Sequence, residues 1–345
     1  MPGSGKPDLV SDMAAGPSGD HDGDARDLDR FGPYFVPSSG PHCGPTGGAY
    51  AAELLERHLK ALVILQAGVL KDEDPEPLHQ MRIRFRRLRS LLMQFGPALQ
   101  LPERVTEQTL AKTGRRLGLV RDLDVLAAQL HQQLLPLLPD GEQAQLKPLL
   151  KSLRRSRKLA FVELVEALHS RRYLRMLAEL QAWVRQPLLT ALGQEPARDW
   201  LLEWKAPVLS GLLSHAGWRA TNPDRDAVCL HDLRKRIKQA RYGLANLKDL
   251  EGERLDAWLD RFKSQQTILG DLNDLQVMEQ AMAEDLGLVL PEALPELNLL
   301  LLERKRLLWQ QWLGQASLML GSQGRQALRS LLCEGSAGEA RCCDG

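Results

Sequence analysis

The sequence predicts an all-α protein built as two similar helical halves. Three observations support this: leucine-rich segments recur with helical spacing, β-branched runs are scarce, and breaks containing Pro or Gly separate the segments. The halves are visible as a repeat. Leu78, His79, Arg82, Arg84, Arg89 and Leu92 recur as Leu230, His231, Arg234, Arg236, Arg241 and Leu244, each at an offset of 152 residues. Further along, LGLVRDLDVL from Leu117 to Leu126 is echoed by LGDLNDLQVM from Leu269 to Met278 at the same offset. Two separate blocks sharing one register point to a duplication.

Taken in order, residues 1–48 are crowded with Gly, Pro, Ser and Asp, lack apolar periodicity and predict an acidic, disordered tail. Helices are expected near 49–70, 76–95, 103–135, 143–169 and 171–191 in the first half, and near 198–215, 227–249, 253–284, 292–317 and 322–333 in the second. The folded region then spans 49–333, with halves at about 49–191 and 198–333, and residues 334–345 form a flexible C-terminal tail. A third correspondence is weaker. Arg154, Arg155, Arg157 and Lys158 align with Arg304, Lys305 and Arg306 only after a shift of about three residues.

A chain of 345 residues with 43% hydrophobic content can bury one large core or two modest ones. Its apolar runs, such as Ala61 to Leu70 and Leu299 to Leu302, stop well short of the roughly 20 residues of a bilayer span, so no membrane partner is expected. The N-terminus has no signal-peptide pattern, which makes a cytoplasmic location the expectation. Cys43, Cys229, Cys333, Cys342 and Cys343 match no disulfide framework or zinc-ligand spacing, and reduced thiols are expected. The net charge of +1 divides unevenly, because residues 1–48 carry −4 and the remainder +5. Any anion site must therefore come from segregated charge on one face.

Such a face is present twice. On a helical wheel with His79 at 0°, Arg82, Arg86 and Arg89 fall at about −60°, −20° and −80°, while Phe85, Leu88, Leu91, Leu92 and Phe95 gather opposite. His231, Arg234, Lys238 and Arg241 take the same four angles, with Leu233, Ile237, Ala240, Leu244 and Leu247 opposite. No acid lies between Glu76 and Glu103, and Asp232 is the only one from 227 to 248. Solvated helix faces normally intersperse acids at i, i+4 spacing, so repulsion left in place twice implies an external polyanion. Each stripe runs about 15 Å, which suits an extended, multiply charged ligand. Arg supplies forked donors to phosphate, Lys point charge, and His a hydrogen bond that strengthens at lower pH. The stripes carry no interleaved aromatics to stack bases, which favours phosphates over nucleic acid.

At these residues the chain strongly resembles the CHAD family, a histidine-containing α-helical domain. LHQMRIRFRRLR and LHDLRKRIKQARY look like its two basic helices, and LGLVRDLDVL and LGDLNDLQVM like its companion motifs. The resemblance implies two bundles related by pseudo-twofold symmetry, a central groove or pore lined by basic side chains, and binding of inorganic polyphosphate without a cofactor. Carried over by position, the ligand residues would be His79, Arg82, Arg86, Arg87, Arg89, His231, Arg234, Lys235, Lys238 and Arg241. Arg87 aligns with Gln239 and Lys235 with Ile83, so the repeat does not support those two. The E-x-E-x-K signature of the triphosphatase-like domain often joined to this family is absent, and no catalysis of that kind is expected.

Other features carry blander readings. Asp122, Asp124, Asp271 and Asp274 are expected to cap a helix or pair with arginines rather than bind Mg²⁺. Glu76 and His79 form an E-x-x-H pair, but Val228 replaces the acid in the second copy, which argues against a metal site. Trp200, Trp204, Trp309 and Trp312 have the spacing of packing residues. The functional expectation is a polyphosphate-binding module that recruits the protein to polyphosphate or its granules. Histidine phosphotransfer and nucleic-acid binding are the alternatives.

Overall fold

The computed structural model describes residues 44–286 and 289–333. Among them the backbone is helical, with isolated β-bridges only at Thr46–Pro196 and Leu99–Leu189. Ten helices have nine residues or more: α1 (Gly47–Lys71), α2 (Pro75–Phe95), α3 (Glu107–Ala128), α4 (Asp140–His169), α5 (Arg171–Arg185), α6 (Leu201–Leu209), α7 (Ala227–Ala245), α8 (Asp256–Leu286), α9 (Pro295–Leu320) and α10 (Ser322–Cys333). The expected tails at 1–43 and 334–345 lie outside the described residues.

Local chemistry explains where the expected boundaries shift. The boundary at residue 48 is too late: Thr46 caps α1, its hydroxyl accepting from the Ala49 amide at 3.3 Å. Gly47 and Gly48 belong to the packed structure, because a Cβ on either would lie 2.6 Å from Trp204 or Leu189. At α2, Asp74 accepts from the Glu76 amide at 2.9 Å, and Pro75 occupies the first turn. The helix expected at 103–135 begins at Glu107, capped by Thr106, and runs past Ala128 into a π-helical turn, Gln129–Leu134. The one expected at 171–191 ends at Arg185, ahead of Pro187. That at 198–215 stops at Leu209: Ser210 is extended and Gly211 has φ 72°, a left-handed turn suited to glycine.

In the first half α2 packs between α1 and α3, with α4 on the far side of α3; in the second, α8 packs between α7 and α9. Buried leucines, together with Phe85, Phe95, Phe262 and Trp312, form one apolar cluster through both halves. Trp204 and Trp312 are buried in it, and Trp200 and Trp309 pack against it, in keeping with their spacing. Trp312 stacks on Trp218 with ring centroids 5.2 Å apart. The halves join where α2 meets α7. There Asn246 donates through Nδ2 to Gln94 Oε1 at 2.9 Å, and the two residues are 152 apart.

An ion-pair clamp holds the entry to each basic helix. Arg157 on α4 binds Asp72, just before α2, and Asp124 on α3, the latter at 2.9 Å. Lys305 on α9 binds Asp224, before α7, and Glu279 on α8, both at 2.8 Å. Asp72 and Asp224 are 152 residues apart, whereas Arg157 and Lys305 are 148 apart. The shift in the third correspondence is thus four residues, one helical turn, and not three. The hydrogen bonds that Arg157 donates to Asp72, against the opposing effect of burial, raise its pKa. For Lys305, burial acts downward but its two carboxylate partners outweigh it.

Candidate anion-binding site

The two cationic stripes face the companion motifs. Arg82 donates from Nη1 both to Asp122 Oδ1 and to the Gly118 carbonyl of α3, each at 2.7 Å. A Cβ at position 118 would sit 2.9 Å from that nitrogen, so a side chain there would displace the Arg82 fork. Further along α2, Arg89 donates from Nε to Glu107 Oε1 at 2.8 Å. In the second copy, His231 Nδ1 lies 2.9 Å from Asn273 Oδ1 on α8. The expected pairing of motif aspartates with arginines therefore holds for Asp122 with Arg82 and for Asp124 with Arg157.

These contacts correct the inference that repulsion along α2 is left wholly to an external anion. Asp122 and Glu107, both on α3, answer Arg82 and Arg89. They lie outside the window of α2 in which acids are absent, and a wheel drawn on one helix cannot register them.

Burial also sorts the ten expected ligand residues. His79, Arg234 and Arg241 are buried, at 3%, 3% and 7% exposure. Arg82, Arg86, Arg87, Arg89, His231 and Lys238 are half-buried, and Lys235 is exposed. Burial depresses the His231 pKa below the usual imidazole value, and Lys235, Arg234 and Lys238 act in the same direction, against the hydrogen bond of Asn273.

Arg87 reaches across to the second basic helix. Its guanidinium lies 5.1 Å from the centre of the Tyr242 ring on α7, and that of Arg241 lies 4.9 Å from the same ring. One cation from each basic helix thus converges on a single tyrosine. His58 on α1 adjoins this junction, 3.5 Å from Arg84 Nη1. Its pKa is lowered far below the usual imidazole value by burial, then by Arg87, Arg84 and Arg57. Sequence reasoning missed both residues. Ser90 and Ser210 stand at the positions of Tyr242 and His58 in the opposite copies, so a search for shared residues passes over them. The remaining signal was a histidine on the apolar face of α1.

The arrangement can attract and orient a polyanion. Arg87 and Arg241 meet from two packed helices on one ring, and carboxylates of α3 hold Arg82 and Arg89 in place. Glu76, the acid of the E-x-x-H pair, is exposed and accepts from Gln80 at 2.7 Å. No group of three potential metal ligands occurs among the described residues, and none of their helices is long and apolar enough to cross a membrane.

Residues 53–283 match the CHAD domain family. Uncharacterized proteins from two strains of Mycobacterium tuberculosis are 27% identical over 277 residues, covering 79% of this chain and 52% of theirs. The chain thus spans about half the length of these curated relatives. Among solved structures, the CHAD domain from the plant Ricinus communis superposes with a TM-score of 0.55 at 24% identity, covering 88% of this chain and 97% of that one. PptA from Streptomyces chartreusis gives 0.55 at 18% identity, covering 83% and 100%. At these identities the likeness is one of fold.

Proposed function

The chain belongs to the CHAD domain family, and from that premise we propose that it binds inorganic polyphosphate through the cationic helices α2 and α7, which recruit the protein to polyphosphate or to polyphosphate granules. The observation that carries this reading is the convergence of the two helices: His79, Arg82, Arg86, Arg87 and Arg89 from one, and His231, Arg234, Lys235, Lys238 and Arg241 from the other, belong to helices packed against each other, with Arg87 and Arg241 on one ring. A linear chain with a charge on every phosphate suits a groove between two such rows, where each added contact extends the same complex. Asp122 and the Gly118 carbonyl supply pre-organisation, holding the Arg82 fork before ligand arrives.

The test is titration with polyphosphates of defined length. Substitutions belong at the less buried cations, because removing Arg82 would leave Asp122 buried without that partner. The Arg86→Gln/Arg87→Gln variant and the Lys235→Gln/Lys238→Gln variant should each weaken binding about tenfold or more, with a shallower dependence on salt. Parent-like affinity in either variant overturns the two-helix reading, and equal affinity for orthophosphate and long chains at equal phosphate content overturns the extended ligand.

A further inference from the structure

A third cationic row lies outside the site just described. Lys147, Lys151, Arg154, Arg155 and Lys158 on α4 are all exposed, and none makes a hydrogen bond or ion pair within the described residues. With Lys151 at 0°, the other four fall within about 60° on either side, along about 16 Å of helix. Arg157, in the same run, turns inward to Asp72 and Asp124. The split divides one basic segment into a structural cation and a solvent-facing row.

Two comparisons separate this row from an ordinary solvated face. Some exposed cations are matched along their own helices, Arg57 with Glu53, Lys60 with Glu56 and Arg306 with Glu303. Between Glu142 and Glu163, in contrast, α4 has no acid. Neighbours three and four apart lie about 5–6 Å from one another, inside the screening length of about 8 Å in physiological salt. Their repulsion is therefore felt and has no answer on the helix. At the five corresponding positions of α9, offset by 148 as Arg157 is from Lys305, stand Pro295, Leu299, Leu302, Glu303 and Arg306, all exposed. The row belongs to the first half alone, so a shared packing requirement of the duplicated helix does not explain it.

We propose that the outer face of α4 is a second track for linear polyphosphate, engaged by chains long enough to extend beyond α2 and α7. This rests on the polyphosphate reading of the inner helices. The side chains exposed beside the row, Leu159 and Val162, are aliphatic, and Phe161 is half-buried under Arg157, so the face lacks an open aromatic platform for bases. Two tracks on one molecule raise the affinity for a chain that spans both and leave a short chain indifferent to the second.

The experiment compares the full chain with its Lys147→Gln/Lys151→Gln/Arg154→Gln/Arg155→Gln/Lys158→Gln variant, using polyphosphates of about ten and about a hundred units. The variant should bind the short chain within about twofold of the parent and the long chain about tenfold or more weakly. The slope of log affinity against log salt for the long chain should fall by about two or more. Unchanged long-chain affinity and slope overturn the outer track while leaving the inner site standing, whereas a parent that binds neither chain overturns both. Single-stranded DNA and phosphatidylserine vesicles serve as further probes. Loss of binding to either of these, with long-chain polyphosphate binding intact, assigns the face to a different anion and overturns the proposal.

Discussion

The first-copy pair Arg82 and Arg89 and the second-copy pair Arg234 and Arg241 occupy matching positions, yet their surroundings differ. Arg89 meets Glu107 in a pair more than a third exposed, while Arg241 is buried against Tyr242, and Leu259 stands where Glu107 would be repeated. Arg121, in the first copy, corresponds to Asn273, which holds His231 in the second. The lesson is that positive charge is retained at each position while the group that steadies it is free to vary. A carboxylate, an aromatic face and an amide each lower the cost of bringing like charges together.

The sharpest way to break this comparison is to remove the carboxylates. Arg82 and Asp122 have side chains only 12% and 5% exposed, so Asp122→Ala should cost about 3–5 kcal/mol by leaving a largely enclosed guanidinium without its carboxylate. Glu107→Ala, in the exposed pair, should cost about 0–1 kcal/mol. Urea unfolding of the two variants measures both, and equal losses would show that burial does not separate the pairs.

A smaller effect should appear with pH, through the histidine that has no counterpart in the other copy. Burial and three arginines hold the folded-state pKa of His58 far below its unfolded value. As pH falls below about 6.5 the unfolded chain binds the proton first, so stability declines by about 1.4 kcal/mol per pH unit until the folded pKa is reached. Above that window the residue contributes no pH dependence. His58→Gln should flatten the stability profile between about pH 6.5 and 5; an unchanged profile would assign the decline to other groups.

The smallest expected effect distinguishes the two stripe histidines. His231 is half-buried and its pKa is lowered, whereas His79 is buried. Bound phosphate should raise the His231 pKa, so binding takes up a proton and affinity rises as pH falls from about 8 to about 6. His231→Gln should remove most of that slope and His79→Gln little of it, measured as dissociation constants at fixed ionic strength. A slope that follows His79 instead would invert the comparison.

Much of this molecule is determined by order along the chain. Leucine periodicity sets the helices because 3.6 residues per turn is a local property, and the 152-residue offset locates both basic helices and their companion motifs without any coordinate. Both ends of α6 and the true start of α1 were harder to read, since the glycines at 47 and 48 look like tail until Trp204 and Leu189 are packed against them. Which cations are already neutralised was decided by the tertiary structure alone. Asp122 reaches Arg82 across 40 residues and Asp72 reaches Arg157 across 85, while Lys147, Lys151, Arg154, Arg155 and Lys158 stay in solvent. Coulomb attraction and burial act through space, so a charge gains its partner, or is left for a ligand, only when helices distant in sequence are brought together.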